Sequence, residues 1–258
     1  MRDRLLGDIV PLSASSLDTW LRCRREFLAA QLLGMPESDD GFSPDQGLLV
    51  HDLLRHVHQQ GSCGDRDHIA GVLAAHQLEG SGAIAGFIER HARRCPPDAG
   101  AGEHEVERAR FHRLPPPMFM ATGRIDAIWR HRGLLDARDY KTGRPFTERV
   151  ADDPRARLQA WLLAPLARRE GVRLRLRYEF LAAEVDDDPE PFEPEDEELE
   201  AIEEELRAVV GAIRAEDRFE GVGDATVCGR CRFRSMCRDS AAPGVPVWPV
   251  PEGADAAS

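Results

Sequence analysis

Lysine is almost missing from this chain: of its 34 basic residues, only Lys141 is not an arginine. Nothing in the sequence approaches the run of about 20 apolar residues that crosses a bilayer, and no signal peptide opens it. The expectation is a soluble, cytoplasmic protein with no membrane partner. Thiols stay reduced in that compartment, which argues against a disulfide framework for the six cysteines. No internal repeat is present, which excludes a repeat array. A length of 258 residues suffices for one α/β domain with a sizeable core, or for that domain with a small appended subdomain.

The surviving lysine carries information through its neighbours. An ammonium is a compact charge on a flexible stem that can approach one phosphate oxygen or one water, whereas a guanidinium is a wide, permanently charged fork. Chance survival in an arginine-biased composition explains Lys141 equally well until Asp139 is noticed two positions earlier, on the same face of an extended segment. Upstream, residues 118–129 read as a strand rich in apolar and β-branched side chains, interrupted by Asp126. A carboxylate in such a run is costly to bury unless paired or metal-bound. A short turn at 130–133 makes the two strands a hairpin that brings Asp126 and Asp139 together. Two carboxylates beside a lysine suit a hard divalent cation, Mg2+ or Mn2+, and a phosphate.

Four of the cysteines form a second constellation. Cys228, Cys231 and Cys237 have C-x2-C-x5-C spacing, which brings three thiolates to one metal centre and leaves a fourth ligand to be found. Cys23, in the serine-capped helical segment 13–27, is the candidate. Spacing alone does not distinguish Zn2+ from an iron–sulfur cluster. Linking positions 23 and 228 closes a loop of roughly 205 residues at a cost that grows only logarithmically with length, so a metal can clasp the two ends together. Cys63 and Cys95, in a loop and at a helix end, fall outside this pattern and read as free thiols.

The net charge of −12 is local in origin. Residues 184–224 hold 18 acids against 3 arginines, and the remainder holds 28 acids against 31 basic residues. The segment 186–191 reads as a solvated linker, and 196–217 as an amphipathic helix with an acidic outer face. Arg22, Arg24 and Arg25 beside Cys23, with Arg230, Arg232 and Arg234 between the other cysteines, suggest a track for phosphates. The expected element order is a helix over 16–33, a helix containing His51, helices at 66–77 and 81–94, strands at 104–113, 118–130 and 133–141, a helix at 153–170, a strand at 172–183 and the acidic helix. A Pro/Gly/Ala-rich tail follows over 241–258.

Gly123-Arg124-Ile125-Asp126 followed by Asp139-Tyr140-Lys141-Thr142-Gly143 resembles the PD-(D/E)XK nuclease superfamily, in its RecB-like and Cas4-like branch. The resemblance implies an α/β restriction-endonuclease-like core, a mixed central sheet flanked by helices, within a single domain over 1–240. That domain carries a helical insertion at 60–97 and a C-terminal cysteine cluster. It assigns metal binding to Asp126 and Asp139, and orientation or activation of water to Lys141. Gly47-Leu48-Leu49-Val50-His51 fits the branch's early helical histidine, which makes His51 a further metal ligand; a structural or solvated histidine is the bland alternative. Gln159 matches a DNA-contacting glutamine, although Leu163 stands where the family has an aromatic residue; a polar side chain on an exposed helix face is the alternative. In iron–sulfur members of the branch, one N-terminal and three C-terminal cysteines hold a [4Fe-4S] cluster, a role that falls on Cys23, Cys228, Cys231 and Cys237.

The resulting expectation is a Mg2+- or Mn2+-dependent deoxyribonuclease acting on DNA, on single strands and from an end, in repair, recombination or CRISPR adaptation. No helicase motif is present, so unwinding would come from a helicase partner or from CRISPR integration proteins. The competing expectation is a non-catalytic iron–sulfur DNA-binding subunit of such a complex.

Overall fold

The computed structural model describes residues 9–36, 45–60, 63–78, 82–95, 104–114, 119–183 and 187–244. Residues 37–44, part of the expected linker and all of the tail beyond 244 lie outside the described residues. The chain divides into two compact units, one built on Ile9–Ala14 and Ser43–Gly211, the other on Ser15–Phe42 and the region from Ala212 onward.

The first unit contains a five-stranded mixed sheet of β1 (Val10–Ser13), β2 (His104–Leu114), β3 (Phe119–His131), β4 (Leu134–Lys141) and β5 (Arg173–Phe180). β2 lies antiparallel along one edge of β3. The other edge is shared: β1 pairs in parallel with 119–122 and β4 antiparallel with 127–131. Among the described residues, 123–126 of β3 therefore have no strand partner on that edge. β5 extends the sheet in parallel beyond β4. The β3–β4 hairpin closes through Arg132 and Gly133, both at positive φ, as a two-residue turn that matches strand twist requires. β1 was not anticipated, because four residues are too few to read as a pattern, although Val10 and Leu12 are fully buried.

Helices cover both faces of this sheet. On one side, α3 (Asp45–Gln60) buries Val50, Leu53, Leu54 and Val57 at helical spacing. These pack with Ile69 and Val72 of α4 (Arg66–Ala75) and Phe87 and Ile88 of α5 (Gly82–Arg94) over Ala127, Trp129 and Tyr140. On the other side lies α6 (Pro154–Glu170), started by the Asp153 cap with proline at its first turn and stopped by left-handed Gly171. Gly123 permits this packing, since a Cβ there would sit 2.8 Å from Leu162 Cδ1. The acidic helix α7 (Asp196–Ala215) buries Leu199, Ile202 and Leu206 on its inner stripe, as its pattern predicts. The neighbouring linker differs from expectation. Asp188 is no solvated residue: its carboxylate accepts from Arg94 at 2.6 Å and from the Phe180 N–H at 2.9 Å, because those donors would otherwise lack an acceptor.

In the second unit, the single helix expected at 16–33 is broken. α1 (Ala14–Arg22) ends at Cys23, whose backbone is extended and caps α2 (Arg24–Phe27), and a π turn follows at Leu28–Leu32. Trp20 packs edge-on to Phe27 and Phe219. The short α8 (Ala225–Gly229), capped by Asp224, carries Cys228.

Candidate active site

Backbone divergence creates the site. The β3–β4 pairing ends at Ala127 opposite Arg138, and one residue further the register sets Asp126 against Asp139, where β3 has lost its partner. The Asp139 carboxylate meets α6 through Gln159, Asp126 lies in the fork between the Tyr140 N–H and His51, and Tyr140 and Trp129 belong to the core on the opposite side. Both aspartates are buried. The Tyr140 N–H donates to Asp126 Oδ2 at 2.8 Å, which leaves Oδ1 facing the Nδ1 of His51 at 3.2 Å. The other His51 nitrogen donates to the Tyr140 carbonyl at 3.0 Å, given the matching tautomer. α3 approaches the end of β4 at Gly47, whose Cβ position lies at an ordinary contact distance of 3.5 Å from Thr142 Oγ1.

Asp139 is held from two directions. Gln159 of α6 donates to its Oδ1 at 3.0 Å, and Lys141 forms an ion pair with its Oδ2. The Lys141 ammonium also lies 4.6 Å from the centre of the Tyr178 ring, and the Tyr178 hydroxyl donates to Asp153 at 2.8 Å. Burial and the adjacent Asp139 charge raise the Asp126 carboxyl above its ordinary range, and the hydrogen bond from His51 opposes this. Burial pulls the His51 imidazole down, but the hydrogen bond and charge of Asp126 outweigh it and leave the imidazole raised. Two carboxylates and one imidazole are a donor set suited to a hard divalent ion, and the adjacent Lys141 ammonium suits a phosphate oxygen.

The predicted residues His51, Asp126, Asp139 and Lys141 thus converge. Gln159 joins them: it is buried and engaged with Asp139, not exposed on a helix face as the alternative reading had it. Leu163 is buried as well. Tyr178 was missed. Its only sequence signal was its place two residues before the end of the strand neighbouring Lys141, and pairing of Asp139 with Tyr178 emerges only from β4–β5 register.

In the second unit, Cys23, Cys228, Cys231 and Cys237 line one cavity of about 170 Å3, together with Leu28, Val227 and other apolar side chains. Burial, joined by the charges of Glu26, Cys23 and Cys237, pushes the Cys231 thiol up to about 11. Thiolates crowded in this way are stabilised by a shared cation. The arginines beside Cys23 are already engaged: Arg22 with Asp18 and Glu26, Arg24 with Glu216, and Arg25 with Asp239. Arg230 is exposed.

Cys63 and Cys95 are not isolated thiols. The structure brings their sulfurs to 3.0 Å from each other, beside His58 and His91. The local spacings His58-x4-Cys63 and His91-x3-Cys95 were the available signal, hidden because the two pairs are far apart in sequence.

A family model of the PD-(D/E)XK nuclease superfamily matches residues 11–238. No curated protein matches the chain. A solved structure described as "Crystal structure of SSO0001" is similar over 87% of this chain and 97% of its own, at 16% identity and a TM-score of 0.37. With its mixed sheet flanked by helices and its acidic fork, the chain belongs to the PD-(D/E)XK nuclease superfamily.

Proposed function

We propose that the chain is a Mg2+- or Mn2+-dependent DNA nuclease that hydrolyses phosphodiester bonds of single-stranded DNA from an end. The observation that carries this reading is the meeting of Asp126 and Asp139 at the strand fork, between His51 and Lys141. His51, Asp126 and Asp139 would hold the ion, which supplies charge neutralisation at the phosphate and a more acidic water. The Tyr140 N–H and the Gln159 amide each occupy one carboxylate oxygen, so that the remaining lone pairs are aimed rather than free to rotate. Lys141, cushioned on the Tyr178 ring, presents its ammonium to a phosphate oxygen or to the attacking water. The choice of single strands and of ends rests on the likeness of the motifs to the iron–sulfur branch, as do the pairing with a helicase or CRISPR integration proteins and the cytoplasmic setting.

The four cysteines would hold a [4Fe-4S] cluster, with Zn2+ the alternative; the preference for the cluster rests on the likeness of the motifs to the iron–sulfur branch, and the apolar lining of the cavity would shield it from water.

The test is cleavage of end-labelled single-stranded DNA by anaerobically purified protein with Mg2+ or Mn2+, beside Lys141→Ala. Loss of cleavage in the variant, with folding and colour kept, supports the reading. Intact DNA with both proteins, under conditions where both bind it, favours the non-catalytic subunit. Equally rapid cleavage of circular and linear strands removes the end preference.

A further inference from the structure

A second group of soft ligands lies in the first unit, on the face of β4 opposite the acidic fork. Cys63 Sγ is 2.7 Å from His58 Nε2 and 3.5 Å from His91 Nε2, and the two imidazole nitrogens are 3.0 Å apart. Cys95 Sγ is 3.0 Å from Cys63 Sγ and 3.9 Å from His58 Nε2. We propose that His58, Cys63, His91 and Cys95 form a structural zinc site that braces the strand bearing Asp139 and Lys141.

Four observations carry this. First, ligands at about 2.0–2.3 Å from a tetrahedral zinc are separated by roughly 3.3–3.8 Å. The four atoms here all lie within 4.8 Å of one another, in a space that suits a single ion and is too tight for a [4Fe-4S] cluster. Second, His58, Cys63 and His91 are buried in the core formed by α3, α4 and α5, where two thiols and two imidazoles facing chiefly each other are costly without an ion. Two thiolates and one zinc also balance in charge.

Third, the surroundings match what orients a metal-bound histidine. His91 Nδ1 lies 2.8 Å from Glu179 Oε2, so the Nδ1–H donates there and the Nε2 lone pair faces the group. Glu179 in turn accepts from Arg138 at 2.5 Å, and Arg138 also donates to Asp136 at 3.0 Å, all three being buried. A buried carboxylate held this firmly is a support for the imidazole and has no part in the acidic fork. Fourth, the ligands come as two local pairs, one at the end of α3 and one at the end of α5, so an ion would fasten the two helices together.

The consequence for the nuclease site passes through Tyr140. Its ring packs edge-on to His91 at 5.0 Å and stacks with His58 at 6.4 Å, while its backbone holds both Asp126 and His51. The zinc site therefore positions the strand, and touches no reacting atom.

The decisive experiment is elemental analysis of the full chain, purified anaerobically from zinc-supplemented medium, with zinc-edge X-ray absorption on the same wild-type sample. The result expected is about one zinc per chain bound by two sulfurs and two nitrogens. Zinc should persist in Cys23→Ala, which tests the other cysteine group, and fall below about a tenth of an ion in Cys95→Ser while iron is unchanged. Glu179→Gln should keep zinc but release it to a chelator roughly 10–100-fold more readily. Absence of zinc from the wild type overturns the proposal. So does a zinc shell of four sulfurs, which would assign the ion to Cys23 and its partners, or an intact mass lower by two hydrogen atoms through a Cys63–Cys95 disulfide. If Cys95→Ser is insoluble, the absorption spectrum of the wild type alone decides.

Discussion

Gln159→Leu separates a DNA contact from a metal-positioning role. The amide donates one 3.0 Å hydrogen bond to Asp139 Oδ1, and among the described residues its own Oε1 has no partner. Leucine is close in volume, so folding should survive, although leaving the buried Asp139 carboxylate without this donor costs about 1–3 kcal/mol of stability in metal-free protein. What is lost is a hydrogen bond to a charged group, worth about 1.5–3 kcal/mol. At 1.36 kcal/mol per tenfold, this corresponds to a roughly 10- to 100-fold weaker grip of Asp139 on the cation. The assay is cleavage of labelled single-stranded DNA as a function of Mn2+ concentration, with DNA affinity measured separately by anisotropy in Ca2+. The half-saturating Mn2+ concentration should rise by that factor, with activity largely recovered at saturation and DNA affinity unchanged. An unchanged Mn2+ profile with weakened DNA binding would refute the argument and return Gln159 to the nucleic acid.

Further outcomes follow from the same geometry. Lys141→Arg should be nearly as inactive as Lys141→Ala, at least about a hundredfold below wild type in kcat, because the wide fork cannot take the ammonium's place between Asp139 and the Tyr178 ring; full activity in the arginine variant sinks that assignment. Gly123→Ala sets a Cβ 2.8 Å from Leu162 Cδ1, the end of a side chain that can turn aside, so it should lose about 0.5–1.5 kcal/mol in urea unfolding, the cost of an off-rotamer leucine; a loss above about 3 kcal/mol would mean that Leu162 is locked in place. The raised pKa of His51 means that its ion-pair contribution in metal-free protein is fully present below its unfolded value near 6.5 and is lost as pH rises through the higher folded value. Urea midpoints across pH 6 to 9 should show a loss that His51→Gln reduces, the remainder coming from His91, whose imidazole is raised, against its burial, to about 9 beside Glu179, and Mn2+ affinity should rise as the His51 imidazole gives up its proton. Cys23→Ala should lose the visible iron–sulfur absorbance; retained colour would remove Cys23 from the ligand set.

Much of this was open to reading along the chain. Asp126, Asp139 and Lys141 declare themselves because a carboxylate inside an apolar strand and a solitary lysine both violate local rules, and such violations collect at sites. The order of β2, β3, β4, α6 and β5 follows from periodicity and from turn residues at each boundary. Cys228, Cys231 and Cys237 lie close enough in sequence for their spacing to suggest a shared metal centre.

Other features depend on which segments become neighbours. The short β1 is defined by pairing with β3, and the break at Cys23 by its extended backbone between two helical turns. Gln159 turns inward because α6 packs its face on the fork, so periodicity alone could not choose between a surface and a buried amide. His58 with Cys63 and His91 with Cys95 are unremarkable as separate pairs, and only the packing of α5 on α3 sets them face to face. Local sequence thus determined the elements and the residues that break their patterns, since propensity, alternation and capping act over a few positions. Tertiary structure decided which of those residues meet, because register, fork geometry and helix packing depend on contacts between distant segments that no local window contains.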